Sequence, residues 1–379
     1  MGRKRLIATL MLCLPRHPIG QTVHIRRKAD SSEITPPMPT PRISVAMSVY
    51  NGERFLAEAI ESILTQSFAD FEFLILDDGS RDSSRTIIER YAAQDSRIRP
   101  IIRENRGLIA SLNQLIDEAR APVIARMDAD DISLPQRFAH QIAFLDAHPD
   151  YGVIGAWAED IDERGHLIAH ASPQYPTTHA AFLAAIHADQ QLLCHPAVMM
   201  RRDVVVKAGG YHAAFRHCED LDLWLRLASR THICSLPEPL LRYRRYADQV
   251  SKRHGVDQQI GAAVARIAYR ERAAGRSDPT ALWHELPSID AMDELFGREG
   301  IAREIRSMIA IALLYSRDGL RGSGFDMLLC HLRDGGTHRN MWRTVARLIY
   351  FGAPLRAIRL AGRLLSTRPA ADTSQTTAA

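Results

Sequence analysis

Between Arg42 and Ala125 the chain alternates four short apolar runs with stretches in which apolar residues recur at helical spacing. That rhythm restricts the fold more than any other feature. The runs are Ile43 to Val49, Phe71 to Leu76, Ile98 to Ile102 and Val123 to Ala125, each short enough for a buried strand. Between them, Leu56, Ile60, Ile63 and Leu64 mark one helix. A second starts at Asp82 or Ser83 and runs to about Gln94. A third spans Leu108 to Ala119, with Leu108, Leu112, Leu115 and Ile116 inward. Strand, helix, strand in this order means a parallel sheet with crossover helices. Such sheets bind ligands outside the carboxyl ends of their strands. Three polar clusters follow strands directly: Tyr50-Asn51-Gly52-Glu53, Asp77-Asp78-Gly79-Ser80 and Asp128-Ala129-Asp130-Asp131. The fold therefore brings them to one rim, although they are far apart in sequence.

Acids crowded as closely as Asp128, Asp130 and Asp131 repel one another unless cations compensate. Their hard oxygen ligands suit Mg²⁺ or Mn²⁺, and Mg²⁺ typically shares its coordination between one or two carboxylates, waters and substrate phosphates. Asp128-Ala129-Asp130 thus reads as a seat for a metal-bound phosphate ester. The alternative is an acidic turn in which Asp131 or Ser133 caps the next helix, Pro135 to His148. Farther on, Leu192 to Met200 is an apolar strand interrupted by His195-Pro196. Glu219 and Asp220 open a helix whose buried face carries Leu221, Trp224, Leu225 and Leu227. Acids at a helix start also have an ordinary reading, because the macrodipole favours them there.

Residues 1–40 read as an N-terminal arm. Leu6 to Leu14 resembles the start of a signal peptide without a clear cleavage site, and Thr35 to Pro41 forms a proline-rich linker. Beyond about Val250 the pattern turns helical. From Gly335 to Ala371 there is no Asp or Glu, while Arg339, Arg343, Arg347, Arg356, Arg359, Arg363 and Arg368 recur. Arg356, Arg359 and Arg363 share one helical face, and Leu355, Ile358, Ala361, Leu364 and Leu365 cover much of the rest. That pattern fits a basic amphipathic helix on an anionic membrane surface, or a helix packed on the main domain with its arginines in solvent. The resulting division is an arm (1–40), an α/β domain (41–250), a helical C-terminal region with a basic amphipathic end (251–370) and a disordered tail (371–379). No apolar run reaches the roughly 18 residues of a membrane span. The five cysteines are scattered and odd in number, which fits a reducing compartment rather than a disulfide framework. A net charge of +4 is far from a nucleic-acid-binding extreme, so no nucleic-acid partner is expected.

The stretches ISVAMSVYNGERFLAEAIESILTQSFADFEFLILDDGSRDSS, ENRGLIASLNQLIDEARAPVIARMDADD and CEDLDLWLRL, in this order and spacing, resemble family-2 glycosyltransferases. The resemblance covers about Pro41 to Ser251. It implies a GT-A-type, Rossmann-like α/β fold: a mixed, mostly parallel sheet flanked by helices, here followed by a helical extension. It further implies inverting transfer from a nucleotide sugar, most often a UDP-sugar, in cell-surface polysaccharide synthesis. Tyr50 matches the residue that stacks on the base, and Asn51 and Glu53 belong to the same loop. One of Asp77 and Asp78 accepts from the imide N–H of the base. Asp128 and Asp130 match the DxD motif, with Asp130 the direct metal ligand. Asp220 matches the catalytic base; independently of the resemblance, like-charge repulsion from the adjacent Glu219 is expected to raise its proton affinity.

The chain departs from the family pattern in two places. In the segment after the third strand, Asn105, Gly107 and Asn113 are kept, but Leu112 replaces an arginine, leaving Arg106 and Arg126 as candidates for the phosphates. Late in the domain Tyr246 stands where many relatives carry a histidine. His195 and Trp224 are candidates for the acceptor side, with a purely structural role as the alternative for a lone histidine near an apolar strand. The acceptor expected is a glycan or lipid-linked oligosaccharide, and the location expected is cytoplasmic, peripheral at the inner face of the cell membrane. A different class of function, a catalytically inactive nucleotide-sugar-binding scaffold, is disfavoured by the intact Asp128, Asp130 and Asp220. A dinucleotide-dependent dehydrogenase is disfavoured because no GxGxxG follows a strand.

Overall fold

A computed structural model describes residues 40–169, 174–246, 255–314, 316–322, 324–336 and 340–366. The expected arm up to residue 39 and the expected tail at 371–379 lie outside the described residues.

Eight strands form one sheet: β1 (Ile43–Val49), β2 (Phe71–Asp78), β3 (Ile98–Arg103), β4 (Val123–Met127), β5 (Ile132–Ser133), β6 (Tyr151–Ile161), β7 (Met199–Arg201) and β8 (His232–Arg244). Their order is β3-β2-β1-β4-β7-β6-β8-β5. Neighbours β3, β2, β1 and β4 are parallel, as are β6 and β8, whereas β7 runs antiparallel to both β4 and β6. The expected mixed, mostly parallel sheet is therefore the observed one. Within the α/β part the helices are α1 (Leu56–Leu64), α2 (Ser84–Gln94), α3 (Leu108–Glu118), α4 (Arg137–Ala147), α5 (His179–His187), α6 (Arg202–Lys207) and α7 (Glu219–Leu227). The helices that follow are α8 (Gly255–Ala273), α9 (Met292–Phe296), α10 (Ile301–Leu313), α11 (Arg317–Arg321), α12 (Gly324–Arg333), α13 (Met341–Tyr350) and α14 (Pro354–Ser366).

The apolar runs are continuous because the sheet is covered on both faces. In β2, Phe71, Phe73 and Ile75 enter one core with Leu56, Ile60 and Phe138, while Leu74 and Leu76 enter the other with Leu112, Leu115 and Leu223. The second core also takes in Val264 of α8 and Ile305 of α10, so the C-terminal helices complete the cover over α7. A separate cluster around Phe325, Leu328, Leu348 and Leu360 holds α10 to α14 together.

Three sequence expectations change here. The 192–200 segment is not one strand: His195–Ala197 makes a single 3₁₀ turn before the short β7. Neither Asp131 nor Ser133 caps α4, whose N-cap residue is Gln136. In α14, Arg356 is not a surface charge: it donates to the carbonyls of Leu320 and Gly322, both at 2.7 Å, and lies over the Phe325 ring. Exposure falls instead on Leu355, Ile358 and Leu365, alongside Trp342, Ile349 and Tyr350 of α13. No helix among the described residues is long and apolar enough to cross a membrane.

Candidate active site

The loops after β1 and β2 are laced together by hydrogen bonds. Asn51 takes a left-handed backbone (φ 52°), and its Oδ1 accepts from Arg81 N–H at 2.9 Å. Its own N–H donates to Ser80 Oγ, and Glu53 Oε2 accepts from Ser83 N–H, both at 2.9 Å. One side-chain oxygen of Asn51 and one of Glu53 thus tie the two loops together. What they position is Tyr50, whose ring stands about half exposed (52%) on the rim.

Asp77 and Asp78 are both buried but differ in use. Asp78 accepts from the N–H groups of Arg106 (2.9 Å) and Gly107 (2.8 Å) and pairs with Arg103 at 2.9 Å. It fastens the 105–107 loop. Asp77 Oδ1 accepts from Ser80 N–H at 3.0 Å. The turn between them requires glycine: Gly79 has φ +78°, and a Cβ there would meet the Asn105 backbone nitrogen at 2.7 Å. Asn105 in turn donates its carboxamide to the Asp78 carbonyl at 2.9 Å, and Arg106 extends to the surface.

At the end of β4, Asp128, Asp130 and Asp131 place ligand oxygens within 4.8 Å of one another. Arg126 is buried beneath them, at 4% side-chain exposure, and pairs with Asp128. Its expected role as an open phosphate contact is corrected: it is the counter-charge inside the cluster. Tyr246 Oη donates to Asp130 Oδ2 at 2.9 Å. Arg244 donates Nε to the Asp130 carbonyl at 2.8 Å and its N–H to Asp131 Oδ1 at 2.9 Å. Asp131 Oδ2 is buried with no hydrogen-bond partner. Burial, and then the Asp128 charge, push Asp130 up to about 6. Burial and both neighbouring acids raise Asp131 well above the carboxylate range. An orphaned buried oxygen among three hard donors fits a divalent cation, and these three residues would hold it.

The second acid group sits at the start of α7. Leu223, Trp224, Leu225 and Leu227 are buried and fix the helix against the sheet. Asp220 accepts from Leu221 N–H at 2.7 Å. Burial raises its proton affinity, and the Arg126 and Asp128 charges both reach it. Glu219 is pushed up to about 7 by burial and by Asp220. The DxD acids and the α7 acids therefore belong to one electrostatic site. Trp224, at 1% exposure, is a core residue, so its expected acceptor role is corrected. His195 is partly buried and pairs through Nε2 with Tyr211 Oη at 2.8 Å, edge-on to Trp224. Burial and the Arg126 charge keep it neutral. Asn113 clamps Tyr211 by accepting from its N–H and donating to its carbonyl, both at 2.8 Å. These partners satisfy the structural reading of His195.

Sequence reasoning counted Asp131 in the acid cluster but gave the metal seat to Asp128 and Asp130 alone, and it missed Arg244 as the clamp on the acids and Tyr211. Tyr246 was noted only as a substitution. Arg244 and Tyr246 lie at the end of β8, whose Pro237 and Pro239 mask its strand pattern. The remaining signal was positional: a basic-aromatic cluster, Arg242-Tyr243-Arg244-Arg245-Tyr246, immediately after an apolar pair.

Comparison with known proteins identifies the family. Residues 44–209 match the family described as Glycosyl transferase family 2. The chain is 38% identical over 228 residues to EpsE of Bacillus subtilis (strain 168), named as a glycosyltransferase, covering 58% of this chain and 80% of that protein. It is 32% identical over 216 residues to the amylovoran biosynthesis glycosyltransferase AmsE of Erwinia amylovora, covering 56% and 79%. It is 31% identical over 215 residues to the O-antigen biosynthesis glycosyltransferase WbnJ of Escherichia coli, covering 55% and 82%. Among solved structures, S. aureus TarS matches with a TM-score of 0.51 at 17% identity, over 86% of this chain and 54% of that one. That likeness concerns the fold alone.

Proposed function

This chain belongs to glycosyl transferase family 2 and is a glycosyltransferase, and from that premise we propose that it is an inverting, divalent-metal-dependent enzyme. It moves a hexosyl or N-acetylhexosaminyl group from a nucleotide sugar, of the UDP class, to a hydroxyl of a glycan or lipid-linked acceptor in polysaccharide synthesis. The observation that carries this reading is the convergence of Asp128, Asp130 and Asp131 with Asp220 around the buried Arg126.

Each residue type suits its task. Tyr50 offers its exposed ring to the base, and Asp77 accepts from the imide N–H. Asp128, Asp130 and Asp131 would hold a divalent cation, which when bound would supply charge neutralisation for the departing diphosphate. Asp220 takes the proton of the acceptor hydroxyl as its oxygen attacks the anomeric carbon from the face opposite the diphosphate. Burial suits Asp220 to that task, because it raises the proton affinity of the carboxylate. The catalytic domain is residues 41–250, and 251–370 is its helical extension. We assign the α13–α14 hairpin to the cytoplasmic face of an anionic membrane. It carries Trp342, Tyr350, Leu355 and Ile358 outward, and the sequence from Gly335 to Ala371 lacks acids.

The test is a donor screen on the purified full chain. Thermal shift and nucleotide release are followed with UDP-, GDP- and dTDP-sugars, with and without Mn²⁺ or Mg²⁺. One nucleotide class should stabilise the protein only with metal, and Asp130→Ala should abolish that response. No response to any nucleotide sugar in either metal would overturn the reading in favour of a role without transfer.

A further inference from the structure

The three acids at the end of β4 are each held by a different partner. Asp128 pairs with the buried Arg126 of its own strand. Asp131 Oδ1 accepts from the N–H of Arg244 at 2.9 Å. Asp130 Oδ2 accepts from the phenol of Tyr246 at 2.9 Å. Two of these partners come from the end of β8, and the period of an extended chain explains how. Arg245 N–H donates to the Ile161 carbonyl at 2.8 Å, so pairing with β6 continues one residue past β8. The Arg245 side chain turns to Asp160, at 3.0 Å. Arg244 and Tyr246, on either side of it, turn the other way and meet the acids.

Tyr246 is itself braced. Its ring packs on Phe55, with centroids 5.4 Å apart and planes at 51°. The Arg244 guanidinium lies over the same Phe55 ring, 4.5 Å from its centroid, and pairs with Glu58 of α1. Phe55 immediately precedes α1, and its N–H donates to the Gly52 carbonyl at 3.1 Å. Packing on a ring fixed in this way restricts the torsions of the tyrosine, so its hydroxyl is placed before any ligand arrives. That hydroxyl has one proton to give, and it gives it to Asp130. A carboxylate that is to hold a cation must be turned correctly. Outer partners that fix a ligand are commonly worth about 10- to 100-fold in metal affinity.

We propose that Tyr246 is a positioning residue for the metal seat. Its hydroxyl fixes the Asp130 carboxylate in the orientation from which it joins Asp128 and Asp131 in holding a divalent cation. The proposal rests on the reading of these acids as a cation seat. It gives Tyr246 a task distinct from ligation: a neutral phenol that donates its proton to a ligand orients that ligand and leaves coordination to the carboxylates.

The test measures metal binding rather than turnover. Isothermal titration calorimetry follows Mn²⁺ binding to the full chain without donor. The wild-type chain should bind, and Asp130→Ala should abolish binding. Tyr246→Phe removes the hydroxyl and keeps the ring on Phe55. Its Kd for Mn²⁺ should rise about tenfold or more, with a far-UV circular dichroism spectrum like that of wild type. The Mn²⁺ concentration that gives half of the full rise in Tm should increase by the same factor. An unchanged Kd in Tyr246→Phe would overturn the proposal and leave Tyr246 a packing residue. A lower Kd would overturn it as well, because the hydroxyl would then compete with the cation for Asp130. No Mn²⁺ binding by the wild-type chain would overturn the cation seat itself, a result distinct from both.

Discussion

The two ends of the parallel strands treat acidic residues in opposite ways. Near the start of β2, Glu72 is buried at 2% exposure and fully matched. It accepts from Ser44 Oγ (2.6 Å), Arg120 N–H (2.7 Å), and the guanidiniums of Arg99 (2.6 Å) and Arg120 (2.7 Å). Burial alone would push this carboxyl up; the hydrogen bonds outweigh it and hold it below its ordinary range. At the far end, Asp128, Asp130, Asp131, Glu219 and Asp220 surround Arg126, and burial raises four of them. One end is an ion-pair knot that ties β1, β2, β3 and the approach to β4. The other keeps negative charge that the protein itself does not match, which is what a cation and a proton transfer require.

This contrast breaks most sharply at Asp220. Asp220→Asn should lower transfer by about 10²–10⁴-fold, the usual worth of a general base, while metal-dependent donor binding by thermal shift stays near wild type. Near-normal transfer would remove Asp220 from its role. Glu72→Gln should do the reverse, costing about 1–3 kcal/mol in urea unfolding while turnover per folded molecule is kept. The sign of its pH dependence follows from a lowered carboxyl. The Glu72 contribution is complete above the unfolded value near 4.5 and is lost as pH falls through the lower folded value. The wild-type advantage over the variant should therefore shrink in acid.

Asp131→Asn sharpens the comparison from the other side. A carboxyl raised by folding costs stability above both its pKa values, and that cost fades as pH falls. Without metal at neutral pH the variant should therefore gain about 0.5–2 kcal/mol in the same assay, and it should lose part of its stabilisation by Mn²⁺. A destabilised variant would mean that Asp131 is matched like Glu72. The smallest effect is in the pH–rate profile. Because burial raises Glu219 and Asp220, the acid limb of kcat/KM should lie above the ordinary carboxylate range and report the pair together. A limb below pH 5 would break the contrast.

Much of this was legible because it is local. The strands from Ile43 to Met127, the three rim clusters and the acids of α7 each lie within a few residues of a periodic pattern. Roles that depend on distant partners were not legible. Nothing near Asn51 or Glu53 shows that their oxygens are claimed by N–H groups thirty residues away, at Arg81 and Ser83. Asp77 and Asp78 are adjacent and chemically identical; only the N–H groups of Arg106 and Gly107 separate them. Trp224 was readable as buried from its helix face, and the structure upholds that period over its placement on the acceptor side. Arg356 illustrates the limit of counting charges on a helical wheel, since its guanidinium serves two carbonyl groups of a neighbouring segment.

α14 carries the outward residues Leu355 and Ile358, and Arg356 bolts it to the α11–α12 corner. A helix so fixed behaves as a ruler. With its apolar edge docked on a lipid surface, the height of the transfer centre above that surface is set by the protein rather than by the substrate. An acceptor whose reactive hydroxyl stood too near or too far from that surface would then miss Asp220, so reach itself would become a criterion of selection.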